Sequence, residues 1–169
     1  MENPCVRLTV AQGGETLGQI ILELRPDKAP GTVENVLSLV DSGFYTGLIF
    51  HRVIKGFMIQ GGGFDQRFEQ KQAKSIRGEF IANGYMANDL KHLRGTVSMA
   101  RTSDPDSASS QFFIMHEDAP HRDAQYAAFG RVTEGMDVVD KIAGTRTGRF
   151  GYYSDVPKVA ITITEAVRV

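Results

Sequence analysis

Phe50-His51-Arg52-Val53-Ile54-Lys55-Gly56-Phe57-Met58-Ile59-Gln60-Gly61-Gly62-Gly63 puts a permanent cation, a carboxamide and large apolar side chains into one short span. The β-branched and aromatic residues favour extended backbone, and Gly56 breaks the run, so two strands joined by a turn are expected, the second running into the glycines. Alternation sends Arg52 and Gln60 to one face, with the turn at Gly56 able to reset the register. Phe57 and Met58 then lie beside the two polar groups. An apolar pocket rimmed by an arginine and a glutamine suits a small neutral group with a carbonyl to be held. The glycine triplet lacks the Gly-Lys-Ser/Thr of a phosphate loop and reads as a turn.

On the N-terminal side, Val6, Leu8 and Val10 alternate with polar residues, Gln12-Gly13-Gly14-Glu15 supplies a turn, and Ile20, Leu22 and Leu24 alternate again. This is a β-hairpin pattern. Between Ala29 and Asp41 the period changes: Val33, Val36, Leu37 and Val40 share one helical face, Pro30 suits a first turn and Gly43 can stop the helix. On the C-terminal side, periodicity fades from Phe64 to Asn88, which reads as a long surface loop. Gly95 to Ala100 and Gln111 to Met115 are short strands around a polar loop, and Tyr126 to Val132 is another. Thr133 is placed to cap a second helix with Met136, Val139, Ile142 and Ala143 on its apolar face and Gly144 at its end. Val159, Ile161, Ile163, Val167 and Val169, at a spacing of two apart from Glu165, predict a terminal strand. About eight strands and two helices favour a closed or nearly closed antiparallel barrel with a helix over each end.

The chain has 169 residues, 41% hydrophobic and 23% charged, with a formal net charge of −1. That size and balance suit one domain, residues 1–169, and give no electrostatic reason to expect nucleic acid or an anionic membrane as partner. One cysteine, Cys5, excludes an internal disulfide. The start Met1-Glu2-Asn3-Pro4 lacks the basic and apolar pattern of a signal peptide, so a cytoplasmic address is expected. A monomer is the default without a long apolar surface stripe. His92, His116 and His121 are too scattered for a metal site, and no cofactor is expected.

Phe50-His51-Arg52-Val53-Ile54, Gly56-Phe57-Met58, Gln60-Gly61-Gly62, Ser98-Met99-Ala100, Ser110-Gln111-Phe112-Phe113-Ile114 and Phe129-Gly130 together resemble the cyclophilin family of peptidyl-prolyl cis-trans isomerases over essentially the whole chain. Thr147-Gly148-Arg149 and Asp155-Val156-Pro157 look most like small bacterial members. The resemblance implies a mainly β fold, a closed eight-stranded antiparallel barrel capped by two α-helices, and an activity that rotates X-Pro peptide bonds and assists protein folding. The partners it implies are proline-containing peptides and unfolded or folding proteins. It implies catalysis by Arg52, with Gln60 orienting it, a proline-ring pocket of Phe57, Met58 and Phe113, and a groove lined by the main chain of Ala100 and Arg101 with support from Gln111. His51 is expected to orient its neighbours by a hydrogen bond rather than to act as a base, because bond rotation needs none.

Counting on from Phe113 without a gap, His121 stands where eukaryotic members carry tryptophan, Arg122 follows at a leucine position, and Tyr126 replaces a histidine. These residues remove apolar wall from the pocket, and weak cyclosporin binding is expected. Two other classes are compatible with the residues: a module or chaperone that grips proline segments with little turnover, and a hydrolase pairing His51 with Ser109 or Ser110.

Overall fold

The computed structural model describes residues 3–169, so the reading of the leader at Met1 and Glu2 lies outside the described residues. Strands β1 (Cys5–Gln12) and β2 (Glu15–Leu24) form the N-terminal hairpin and lead into α1 (Pro30–Asp41). Strands β3 (Arg52–Ile54) and β4 (Met58–Gly61) flank the turn at Gly56, followed by β5 (Thr96–Met99), β6 (Phe112–Met115) and β7 (Ala128–Glu134). Helix α2 (Met136–Ala143), the hairpin β8 (Thr147–Phe150) and β9 (Tyr153–Pro157), and β10 (Ile161–Arg168) complete the chain.

Eight strands form one antiparallel sheet in the order β10-β1-β2-β7-β5-β6-β4-β3, while β8 and β9 pair only with each other. The sheet curls so that its edges meet, but the expected closed barrel needs correction: no strand ladder joins β3 to β10. The seam is bridged by the segment ahead of β3, where Gly47 N donates to Ile163 O (2.8 Å) and Phe50 N to Ile161 O (2.9 Å). Inside lie Leu8, Val10, Ile20, Leu24, Phe50, Ile59, Val97, Ile114 and Phe129, each no more than 2% exposed. Burial of such side chains supplies the main favourable folding term, about 1.5–3 kcal/mol each.

Helix α1 lies against β10 and α2 against β2. Thr133 does not cap α2. It belongs to β7, its hydroxyl donating to Ile21 O (3.4 Å), and Gly135 occupies the N-cap with φ 94°. A side chain there would collide with the carbonyl of Gln19, so glycine is required on two counts. The terminal strand also departs from simple alternation. Thr9 pairs with Glu165 but Val10 with Ile163, leaving Thr164 as a bulge; beyond it Ala166, not Val167, turns inward. Val159 precedes the strand and is 50% exposed.

The 64–88 segment is irregular, as expected, but it is not only surface. Phe80 is 2% exposed and Glu79 7%. The Glu79 carboxylate accepts hydrogen bonds from Gly31 N (3.2 Å), Thr32 N (2.6 Å) and Thr32 Oγ1 (2.7 Å). Ala29, the N-cap residue of α1, has no capping side chain, so a residue distant in sequence caps the helix and meets its dipole with a negative charge. Glu79→Ala is expected to cost about 2–3 kcal/mol, read as a fall in melting temperature of roughly 5–10 °C.

Candidate active site

The site grows from the β3–β4 hairpin. Arg52 stands directly opposite Gln60 in the ladder, so the two side chains leave the same face, as alternation requires. Gln60 links two partners: its Oε1 accepts from Arg52 Nη1 (3.4 Å) and its Nε2 donates to Gln111 Oε1 (3.0 Å). The turn between the strands is tied down by His116. Gly56 N donates to His116 Nδ1 (2.9 Å), and His116 Nε2 lies 3.1 Å from Asp140 on α2. Nothing in the local sequence announces that tether, because its members are remote from one another along the chain.

The glycine triplet is more than a turn. Gly61 lies within β4, where a Cβ would come within 2.7 Å of Ile49 O, and one at Gly63 would overlap the Gln111 side chain at 2.5 Å. The missing side chain at Gly63 leaves the space that Gln111 occupies beside Gln60.

Beside this row, Arg52, Phe57, Met58, Gln60, Ala100, Arg101, Phe113, Arg122 and Tyr126 line one cavity of about 110 Å³. Nine of the twelve residues singled out from sequence thus converge on one pocket, whose floor is apolar: Met58 is 1% and Phe113 5% exposed. Gln111 lines an adjoining polar groove of about 370 Å³ that shares Gln60, Ala100 and Arg101 with the pocket. His51 and His121 are outside the pocket lining; the His121 ring lies 5.8 Å from Phe57.

The wall around Arg122 is built differently from the expectation. The Arg122 guanidinium lies 5.1 Å from the centre of the Phe57 ring and 5.2 Å from that of Tyr126, and donates to the Tyr126 hydroxyl (3.1 Å). Arg101 lies over Tyr126 and Phe80, 4.8 Å from each ring centre, and is fixed by donating to Gln125 O from Nη2 (2.7 Å) and Nε (3.1 Å). Its side chain, and not only its main chain, therefore shapes the pocket. Tyr126 packs edge-on to Phe113 at 5.6 Å. Two flat cations stacked on aromatic faces take the place of apolar wall.

His51 is 5% exposed and its Nδ1 is buried without a hydrogen-bond partner among the described residues. Through this nitrogen it makes no orienting hydrogen bond; its ring packs instead at 4.7 Å from Phe64. Burial, reinforced by the adjacent Arg52 charge, lowers its pKa to about 4, so the imidazole is neutral at physiological pH. Ser110, 2% exposed, donates to Gly62 O (2.8 Å) and is engaged away from any histidine. A Ser–His–Asp row does exist elsewhere: His92 Nε2 lies 2.9 Å from Ser98 Oγ and its Nδ1 3.2 Å from Asp123. Ser98 is fully buried and His92 stacks on Phe113 at 5.9 Å, so the row supports the pocket floor and cannot meet a substrate.

Burial lowers the pKa of His92 as well, against the opposing pull of Asp123. An unfolded histidine titrates near 6.5, so as pH falls the unfolded chain takes up protons first. The stability these two residues allow is full above about pH 6.5 and drains away as pH drops toward the folded value of about 4 for His51. Thermal melts at pH 7 and pH 4.5 should show a loss of about 2 kcal/mol from His51, with a shallower slope in His51→Gln.

The site thus sets an exposed cation, hydrogen-bonded to a glutamine, over an apolar pocket with a polar groove alongside. The chain belongs to the cyclophilin-type peptidyl-prolyl cis-trans isomerases, whose family model matches residues 6–168. It is 47% identical over 161 residues to a peptidyl-prolyl cis-trans isomerase of Acinetobacter baylyi, covering 92% of this chain and 82% of that one. It is 48% identical over 155 residues to peptidyl-prolyl cis-trans isomerase B of Escherichia coli, covering 86% and 91% respectively. A crystal structure of a Cryptosporidium parvum cyclophilin-type isomerase superimposes with a TM-score of 0.83 at 28% identity, covering 99% of this chain and 98% of the other. A structure of the same parasite protein in the presence of the dipeptide Ala-Pro gives 0.80 at 29% identity, covering 96% and 97%.

Proposed function

We propose that the chain, a cyclophilin-type peptidyl-prolyl cis-trans isomerase, rotates X-Pro bonds by a hydrogen bond from Arg52 to the prolyl nitrogen. The observation that carries this reading is the Arg52–Gln60–Gln111 row along the rim of the Phe113 pocket. Rotation about an X-Pro bond takes tens to hundreds of seconds unaided, because it breaks the conjugation between nitrogen and carbonyl. In the twisted transition state the nitrogen becomes pyramidal and recovers a lone pair. A donor aimed there binds that state better than either planar ground state. A guanidinium keeps its charge and its donors throughout the physiological range, so no proton is transferred. An acceleration of roughly a hundred-thousandfold corresponds to about 7 kcal/mol.

Phe57, Met58 and Phe113 hold the proline ring, with Arg122 and Tyr126 as the outer wall and His121 beside Phe57. Ala100, Arg101 and Gln111 hold the peptide on the polar side. The neutral, unpaired His51 acts as packing behind Arg52. Substrates are proline-containing segments of folding proteins, and the chain works as one monomeric domain in the cytoplasm. Exchange NMR on a short Ala-Pro peptide tests the reading: the parent accelerates exchange and Arg52→Ala does not. Rates should be nearly flat from about pH 6 to 9, unlike the bell expected of a hydrolase.

Cyclosporin, a bulky apolar ligand, meets a cationic Arg122 where an apolar wall would favour it. Inhibition is expected only at micromolar or higher concentrations, and nanomolar inhibition in a coupled-protease assay would contradict this account of the wall.

A further inference from the structure

A second cavity, of about 410 Å³, opens beside the proline pocket and shares Arg52 and Gln60 with it. Its remaining lining includes His51, Phe64, Tyr152 and Tyr153. The last two come from the β8–β9 hairpin, which stands outside the main sheet and contributes nothing to the pocket around Phe113. Tyr152 is fully exposed and Phe150 is 56% exposed. Exposed aromatics clustered next to an active site are unusual in a monomeric surface and mark a place for binding.

The hairpin is built onto the catalytic strand through aromatic contacts. Phe68 stacks on Phe150 at 4.8 Å and lies 5.0 Å from Tyr153. Phe64 is 5.5 Å from Tyr153 and 4.7 Å from His51, the neighbour of Arg52. Phe68 holds this position with φ 63°, a conformation that bulky residues avoid unless the surroundings impose it.

We propose that this cavity is a second substrate subsite, which takes an aromatic side chain of the same peptide whose proline fills the Phe113 pocket. The proposal rests on the prolyl reading of that pocket. The chemistry of the lining selects the class. Arg52 is the one charged residue of the cavity lining and opposes a basic side chain. The negative faces of the tyrosines and phenylalanine oppose an acidic one and offset its attraction to Arg52, just as Arg52 offsets their attraction for a cation, so neither charge suits the whole lining. An aromatic ring meets neither conflict and stacks on Tyr152 or Tyr153 by the offset or edge-on contacts that aromatic pairs prefer. Because Arg52 and Gln60 border both cavities, a single peptide can fill the two at once.

The test moves one phenylalanine through each non-prolyl position of an otherwise alanine hexapeptide containing one proline, and reads catalysed exchange by NMR. One position is expected to raise kcat/KM by about threefold to tenfold over the all-alanine peptide, through KM. In Tyr152→Ser, a substitution at a fully exposed position, that advantage should shrink to less than about twofold, and Phe150→Ser should reduce it partly. No gain at any position, a gain that survives in both variants, or an equal gain from lysine at the same position would overturn the subsite. If the all-alanine peptide is accelerated and phenylalanine adds nothing, the subsite alone fails. If no peptide is accelerated, the prolyl reading fails with it.

Discussion

Arg52→Ala is expected to lower catalysed prolyl exchange by about 10²–10³-fold, the usual cost of removing one preorganised donor to a developing lone pair. The affinity for a proline peptide should change far less, by less than about threefold, because the contact is made only in the twisted state. Arg52→Lys should recover little: an ammonium is a point charge without the planar fork that Gln60 can align. The folded state should tolerate either change, since Arg52 is exposed and, among the described residues, its one side-chain hydrogen bond is the long 3.4 Å contact to Gln60. Line-shape or exchange NMR with the parent and both variants reads rate and affinity together. A parent whose rate is as low as that of Arg52→Ala, with unchanged binding, would instead indicate a module that grips proline segments.

Phe113→Ala should be the most damaging single change at the pocket, because it acts on fold and function at once. Phe113 is 5% exposed and packs between the His92 ring at 5.9 Å and Tyr126 at 5.6 Å. It stands opposite Ser98 on one side and Gln60 on the other in the sheet. Truncation leaves a cavity under the pocket and removes its floor, at a cost of about 3–5 kcal/mol in stability, or roughly 10 °C or more in melting temperature. Phe113→Leu separates the two effects. It refills most of the volume, so much of the stability should return, while the flat face against the proline ring is still lost and KM stays raised. A denaturation curve and a KM for each variant would check both; equal KM for Phe113→Leu and the parent would remove the ring from substrate binding.

The elements were legible where one local rule governs. Alternation marks the β1–β2 hairpin, the period of Val33, Val36, Leu37 and Val40 marks α1, and Gly56 divides β3 from β4. The errors fall where a distant group intervenes. Thr133 has the chemistry of a cap, yet β7 continues through it and Gly135 takes the position because the Gln19 main chain leaves room for nothing larger. The terminal strand loses its alternation at Thr164, where a bulge against β1 shifts the inward face by one residue. Glu79 lies in a stretch without periodicity, and only its hydrogen bonds to Thr32 reveal that it caps α1.

At the site the same division holds. The sequence by itself determined the inventory: an arginine and a glutamine on one strand face, the apolar trio Phe57, Met58 and Phe113, and membership of a family that rotates prolyl bonds. The shared strand face follows from side-chain type and alternation, which are local properties; the trio as one pocket and the family follow from the resemblance of the ordered motifs. Tertiary structure alone decided that His51 faces Phe64 with an unpartnered nitrogen, that Arg122 becomes a wall by lying over Phe57 and Tyr126, and that His116 ties the Gly56 turn to α2. It also brought the β8–β9 hairpin to the edge of Arg52's cavity. Each of these depends on which surfaces meet when the sheet curls, and short-range periodicity carries no information about a meeting between segments many residues apart.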